Sequence, residues 1–185
     1  MKILKLLITA LLFTSLCQAQ TLQVWLKDTC TPGLITSWAD QSGNSYNVTD
    51  HTYAPYDPTC IAAGLNGLNV VLFSGTQNLA TNAGTTPNIT QPFSVFVVGN
   101  DTGIANEGFI GKASSWFLFG FYTTSLYMYS GANQFQTISS TSNYAVMDVI
   151  YSGASSILSY NGTTLTGNAG TNASGTDIFS VGNTG

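Results

Sequence analysis

With 185 residues the chain has room for one domain of ordinary size. Its four basic residues, all lysines, face eight acids, which excludes a polyanion such as nucleic acid as a partner. Charged residues are only 6% of the chain, against roughly 25% in an ordinary soluble protein; with 44% apolar and 12% aromatic residues, disorder is excluded too, and a packed core under a neutral Ser/Thr/Asn/Gln/Gly surface is expected.

Lys2 and Lys5 precede an uncharged apolar run from Leu6 to Leu16, and Cys17-Gln18-Ala19 offers small side chains ahead of Gln20. That order predicts a secretory signal peptide over 1–19, a mature domain over 20–185 and a secreted, extracellular product. An N-terminal membrane anchor is the alternative, although the run is too short to span a bilayer as a helix. The mature chain keeps Lys27 and Lys112 and no arginine. It also keeps one pair of cysteines, Cys30 and Cys60, which in an oxidising compartment reads as a disulfide closing a loop of about thirty residues. Two separate buried thiols are the other reading. The closed loop is worth between about 3 and about 4.7 kcal/mol in the chain-entropy model.

After residue 20 no stretch carries a helical period with caps. Short β-rich runs are predicted instead at Leu22 to Leu26, Asn69 to Phe73, Phe93 to Gly99, Gly108 to Lys112, Trp116 to Tyr122, Ser125 to Tyr129, Ala145 to Tyr151, Ile157 to Tyr160, Thr163 to Thr166 and Asp177 to Val181. Many short strands between Gly/Asn/Ser/Thr turns predict an all-β, antiparallel sandwich of the jelly-roll kind, in one domain. Tyr160-Asn161-Gly162-Thr163 is the clearest turn, because Asn-Gly suits a two-residue hairpin. The run from Phe93 to Val98 is nearly continuous and β-branched, the pattern of a central strand covered on both faces. Trp116 to Tyr122 is bulky on both alternating sets, so one set faces the core and the other is covered or meets a ligand. The polar stretch between Cys30 and Cys60 lacks strand character, and the disulfide is expected to pin it.

Three segments together resemble the bacterial laminin-G-like members of the concanavalin A-like lectin/glucanase superfamily. They are Val24-Trp25-Leu26-Lys27, the loop Ser37-Trp38-Ala39-Asp40-Gln41-Ser42-Gly43-Asn44, and the block from Gly64 to Thr76. Leu158-Ser159-Tyr160-Asn161-Gly162 is similar to a hairpin found late in that fold. The ordered set runs from about Leu22 to Val181. The best-matched loop also has a plain physical reading: Asp40 and Ser42 can bond backbone N–H groups in a tight turn, Gly43 and Asn44 tolerate positive φ, and Trp38 can plug one end of the sandwich. The sequence departs from the family where an arginine and an aspartate usually stand near Leu72 and Ser74. Calcium therefore enters only through the resemblance, with no motif to support it, and no cofactor or metal is expected. Relatives also continue past a strand such as Asp177 to Val181, so the domain is expected to lack its closing strands.

No catalytic residue is predicted. The glucanase relatives use a Glu-x-Asp-x-x-Glu strand, and this chain has one glutamate, Glu107, in a Gly/Asn-rich turn. His51 is the only histidine and no Gly-x-Ser-x-Gly elbow exists. A glycoside hydrolase-like enzyme is thus the minor alternative, by fold analogy alone. The leading expectation is a non-catalytic module binding a glycan or extracellular polymer through Trp116, Tyr122, Tyr127 and Tyr129, whose rings can stack on sugar faces. The alternative is a structural or adhesive surface protein with a protein partner or self-association, its open edge able to accept a donated strand. Five Asn-x-Ser/Thr triplets, at Asn47, Asn88, Asn100, Asn161 and Asn172, are acceptors only in a host that glycosylates them.

Overall fold

The computed structural model describes residues 21–50, 57–100, 107–112, 117–122, 125–131, 134–139, 143–172 and 178–182. Its strands, in chain order, are β1 (Gly33–Leu34), β2 (Ser37–Trp38), β3 (Val48–Thr49), β4 (Thr59–Leu65), β5 (Leu68–Leu72), β6 (Asn78–Ala80), β7 (Phe93–Gly99) and β8 (Glu107–Lys112). They continue with β9 (Leu118–Tyr122), β10 (Ser125–Tyr129), β11 (Gln134–Ser139), β12 (Ala145–Tyr151), β13 (Ser156–Tyr160), β14 (Thr163–Gly167) and β15 (Phe179–Gly182). All pairings are antiparallel, in an eight-stranded sheet β11-β10-β9-β8-β15-β6-β3-β2, a four-stranded sheet β14-β13-β12-β7 and a three-stranded sheet β1-β4-β5.

Alternation fixes which face each sheet buries. Along β12, Ala145, Met147, Val149 and Tyr151 are buried while Val146, Asp148 and Ile150 are not. The register sets the buried residues beside Gly99, Val97, Val95 and Phe93 of β7, and beside Tyr160 and Leu158 of β13. In the eight-stranded sheet Phe119 and Phe121 pair with Met128 and Leu126, all four fully buried. One apolar cluster takes in both sets together with Cys60 and Val71 of the three-stranded sheet, so the sheets face one another as a sandwich.

Tyr151 ties the two layers directly. Its ring stacks on Phe93 with centroids 4.6 Å apart and meets Phe117 edge-on at 5.7 Å. Its hydroxyl crosses from the four-stranded sheet and donates to the carbonyl oxygen of Leu118 in the eight-stranded one, at 2.6 Å. Burial, with the phenol of Tyr127 nearby, pushes this hydroxyl well above the ordinary phenol range, so the donor keeps its proton. At one end of the sandwich the Gln91 side chain gathers three turns. Its Nε2 donates to Ser130 Oγ and to the carbonyls of Gly170 and Asn172, and its Oε1 accepts from Gly153 N at 2.8 Å. Gly170 has φ +91° there, and a Cβ on it would collide with the Ser130 carbonyl.

The Asn161-Gly162 hairpin forms as expected, with φ 47° and 81° and Tyr160 opposite Thr163. Asn66-Gly67 makes a second two-residue hairpin of the same kind between β4 and β5, with φ 50° and 81°. Cys30 and Cys60 are bonded, their Cα atoms 6.0 Å apart. Four expectations need correction. The 31–59 stretch is not strandless, because β1 pairs with β4 while β2 and β3 close the eight-stranded sheet; two-residue strands are too short to show a period. Glu107 opens β8 opposite Phe121 and does not sit in a turn. Leu22 to Leu26 has strand-like alternation but joins no ladder among the described residues. Finally, among the described residues β7 has one ladder, with β12, rather than the two of a central strand, and Phe96 (67% exposed) and Val98 (52%) stand on its outer face.

The crossing hydroxyl gives a direct stability test. Tyr151→Phe keeps both ring contacts and strands the Leu118 carbonyl, so urea unfolding should show a loss of about 1–3 kcal/mol with an unchanged m-value. A loss below about 0.5 kcal/mol would mean that the hydroxyl does not join the layers.

Candidate functional site

Two surfaces compete for the role of binding site: the tyrosine face expected from sequence, and an apolar trough bordered by β5 and β7. The register of β9 and β10 sets Tyr122 opposite Ser125, Tyr127 opposite Gly120 and Tyr129 opposite Leu118. Directly paired residues share a face, so the three tyrosines lie together, turned away from Phe119, Phe121, Leu126 and Met128. Tyr122 is exposed at 44%, Tyr129 is half-buried and Tyr127 is buried at 8%. Trp116 lies outside the described residues.

Of the expected rings Tyr127 is thus buried, while Tyr122 and Tyr129 on the same face are partly exposed. Tyr127 occupies the middle of β10, flanked by β9 and β11, and its ring meets that of Tyr122 edge-on at 6.0 Å. Burial raises the pKa of its hydroxyl, with a smaller contribution from Tyr122. Of the expected platform, Tyr122 and the edge of Tyr129 are what this face offers a ligand.

The trough has a volume of about 1180 Å³ and is lined by Leu22 to Leu26, β5, β7 and the core-side residues Phe109 and Val181. Among the described residues its charged lining residues are Lys27 and Asp28, and the Lys27 ammonium sits 5.1 Å above the Trp25 ring. Among the described residues, eight of the twelve exposed large apolar side chains line it, Leu68, Leu72, Phe96 and Val98 among them. Sequence reading missed these as site residues. The signal was present in the nearly continuous apolar run of β7, which reads as a strand covered on both faces, while Phe96 and Val98 stand exposed on one.

One wall of the trough is held by the corner loop. The Asp40 carboxylate accepts from Trp25 N at 2.8 Å, Ser42 N at 2.9 Å, Ser42 Oγ at 2.7 Å and Tyr46 N at 3.1 Å. Asn44 Nδ2 donates to the carbonyls of Leu22 and Gln23, and Trp38 Nε1 donates to that of Lys27 at 2.6 Å. The loop is thus the fold-defining corner that its residue types predict, except that positive φ falls on Gly43 and Ser45 rather than on Asn44. It straps residues 22–27 by their backbone along one side.

Among the described residues no three His, Cys, Asp or Glu side chains come together, and no helix is long and apolar enough to cross a membrane. His51 lies outside the described residues. Comparison with family models, with curated proteins and with solved structures returns no match. The concanavalin A-like resemblance therefore rests on the sequence blocks alone.

Partial burial by itself would raise the Asp40 pKa, but the hydrogen bonds from the Ser42 hydroxyl and from the Trp25, Ser42 and Tyr46 amides outweigh it and hold the carboxyl below its ordinary value. The charged form is the one the fold favours. Its contribution is complete above about pH 5, clear of an unfolded aspartate, and is lost as pH falls through the lower folded-state value. Asp40→Asn should cost about 2 kcal/mol at pH 7, and thermal melts of mutant and wild type should converge toward pH 2. Parallel, non-converging pH profiles would exclude the carboxylate as the strap.

Proposed function

We propose that this domain is a secreted, non-catalytic binding module of the structural or adhesive class that holds its partner through the apolar trough. The observation that carries the reading is the concentration of exposed apolar side chains in one concavity on an otherwise neutral-polar surface. Scattered exposed apolar residues are normal, whereas a contiguous set marks an interaction surface. The buried disulfide and the apolar leader with its small-residue site support an extracellular setting. The resemblance to concanavalin A-like domains supports a binding role without choosing the ligand.

Glycan binding is the second reading. Tyr122 favours it, because an exposed ring beside half-buried Tyr129 can stack on one sugar face. The support is narrower than the sequence implies, since Tyr127 serves as underlay.

Two assays separate the readings. Nile red should fluoresce on the folded protein and lose that signal in a Leu72→Lys/Phe96→Lys variant, whose two sites are exposed enough to leave the melting temperature within a few degrees. Undiminished fluorescence in the variant would remove the trough as the binding surface. On a glycan array the protein should show no ligand that is lost on Tyr122→Ala. A glycan bound by wild type and by the trough variant, but lost in Tyr122→Ala, would transfer the function to the tyrosine face.

A further inference from the structure

We infer that Asn66 is a self-modifying site: the Gly67 amide converts its carboxamide to a succinimide, which water opens to aspartate or isoaspartate. The chain's other Asn-Gly pair, Asn161-Gly162, is held back from the same reaction. In the first step the Gly67 nitrogen gives up its proton and attacks Asn66 Cγ. A C–N bond forms, the Cγ–Nδ2 bond breaks, and ammonia leaves with the proton. Water then adds to either carbonyl of the cyclic imide and opens it; nothing is oxidised or reduced. Asn-Gly suits this step because glycine has no Cβ to shield its nitrogen. Both pairs sit at exposed hairpin tips with positive φ, so the two sites share one chemistry and one turn type. What differs is how firmly each tip is closed.

The Asn161 tip is closed by its own ladder and by its neighbour. β13 and β14 run in unbroken register from Ser156 opposite Gly167 to Tyr160 opposite Thr163. Asn161 N donates to the carbonyl of Val146 at 2.8 Å, and Val146 N donates back to Asn161 Oδ1 at 2.9 Å. The adjacent strand β12 therefore grips both the backbone and the reacting carboxamide. Asn161 Cγ reaches the Gly162 nitrogen only after these bonds open.

The Asn66 tip is held more loosely. Beyond the pair Leu65 and Leu68 the register shifts before Ile61 meets Val70, so Ala62, Ala63 and Gly64 stand against Asn69 alone. Ala63 has φ 51° there, and its N–H donates to the Asn69 side chain at a long 3.3 Å. The Asn66 carboxamide has no hydrogen-bond partner among the described residues. A tip closed by one pair beyond a bulge opens at less cost than one at the end of a regular ladder. The position gives the reaction a consequence, because Leu65 and Leu68 line the trough. The product sets a carboxylate at the rim of that apolar lining, and isoaspartate also lengthens the backbone inside the turn. This effect rests on the trough being the binding surface, whereas the modification itself does not.

The test incubates the disulfide-bonded protein in mildly alkaline buffer and follows each Asn-Gly peptide by mass spectrometry, with isoaspartate resolved by electron-transfer fragmentation. In the folded protein Asn66 should convert at least about fivefold faster than Asn161. In concentrated urea the two rates should draw within about twofold of each other. Equal rates in the folded protein, or a faster Asn161, would overturn the assignment. So would the same ratio in urea, because the local sequence would then account for it. The modified fraction, isolated by anion exchange, should bind Nile red several-fold more weakly than fresh protein. Unchanged binding would overturn the effect at the rim and leave the modification site standing. Fresh protein that binds no Nile red would remove the trough and the rim effect with it, while the ratio of Asn66 to Asn161 conversion still decides the site.

Discussion

Strand β7 carries apolar side chains on both faces, and its outer ones stand exposed; much of the molecule is arranged around that mismatch. Its inner face, Phe93, Val95 and Val97, packs into the core through the register with β12. Its outer face leaves Phe96 and Val98 in water. Burying such side chains is worth roughly 1.5–3 kcal/mol each, so covering them would supply a useful part of an association energy. That β5 and residues 22–26 border the same space makes the exposure a shaped site rather than a scatter of apolar residues.

An exposed apolar face is tolerable only in a frame fixed elsewhere, and the frame is fixed at four places. Tyr151 joins the layers through its rings and its bond to Leu118. Gln91 clamps the turns at Ser130, Gly153 and Gly170–Asn172, with each polar atom of its amide in use. The disulfide holds residue 30 to β4, while Asp40, Asn44 and Trp38 hold residues 22–27 to the corner loop. None of these involves Phe96 or Val98, so the outer face of β7 can stay exposed without loosening the core.

The long strands were legible because alternation survives in them. β7, β10 and β12 have the bounds that periodicity predicts, and β9, β13, β14 and β15 differ at their ends. β4 escaped because Ala62, Ala63 and Gly64 give little strand propensity and Ala63, at φ 51°, breaks the register. β1, β2 and β3 are too short to carry a period. The candidate site was less legible. Alternation places Tyr122, Tyr127 and Tyr129 on one face correctly, but it cannot say what lies over a face, and Tyr127 proved covered. Likewise an apolar run reports the burial a strand is suited to, not the neighbours it has. That is why β7 reads as central and has one ladder among the described residues.

The central claim is that the outer face of β7 is open to solvent in the protein alone. Its most direct test is side-chain NMR of the disulfide-bonded protein with a soluble paramagnetic co-solute. An open face requires the Phe96 ring and Val98 methyl signals to broaden strongly while those of Val149 and Leu158, fully buried behind them, stay sharp. Phe96 and Val98 signals as sharp as those of Val149 would mean that the chain already covers this face, and would contradict both the trough and the function built on it.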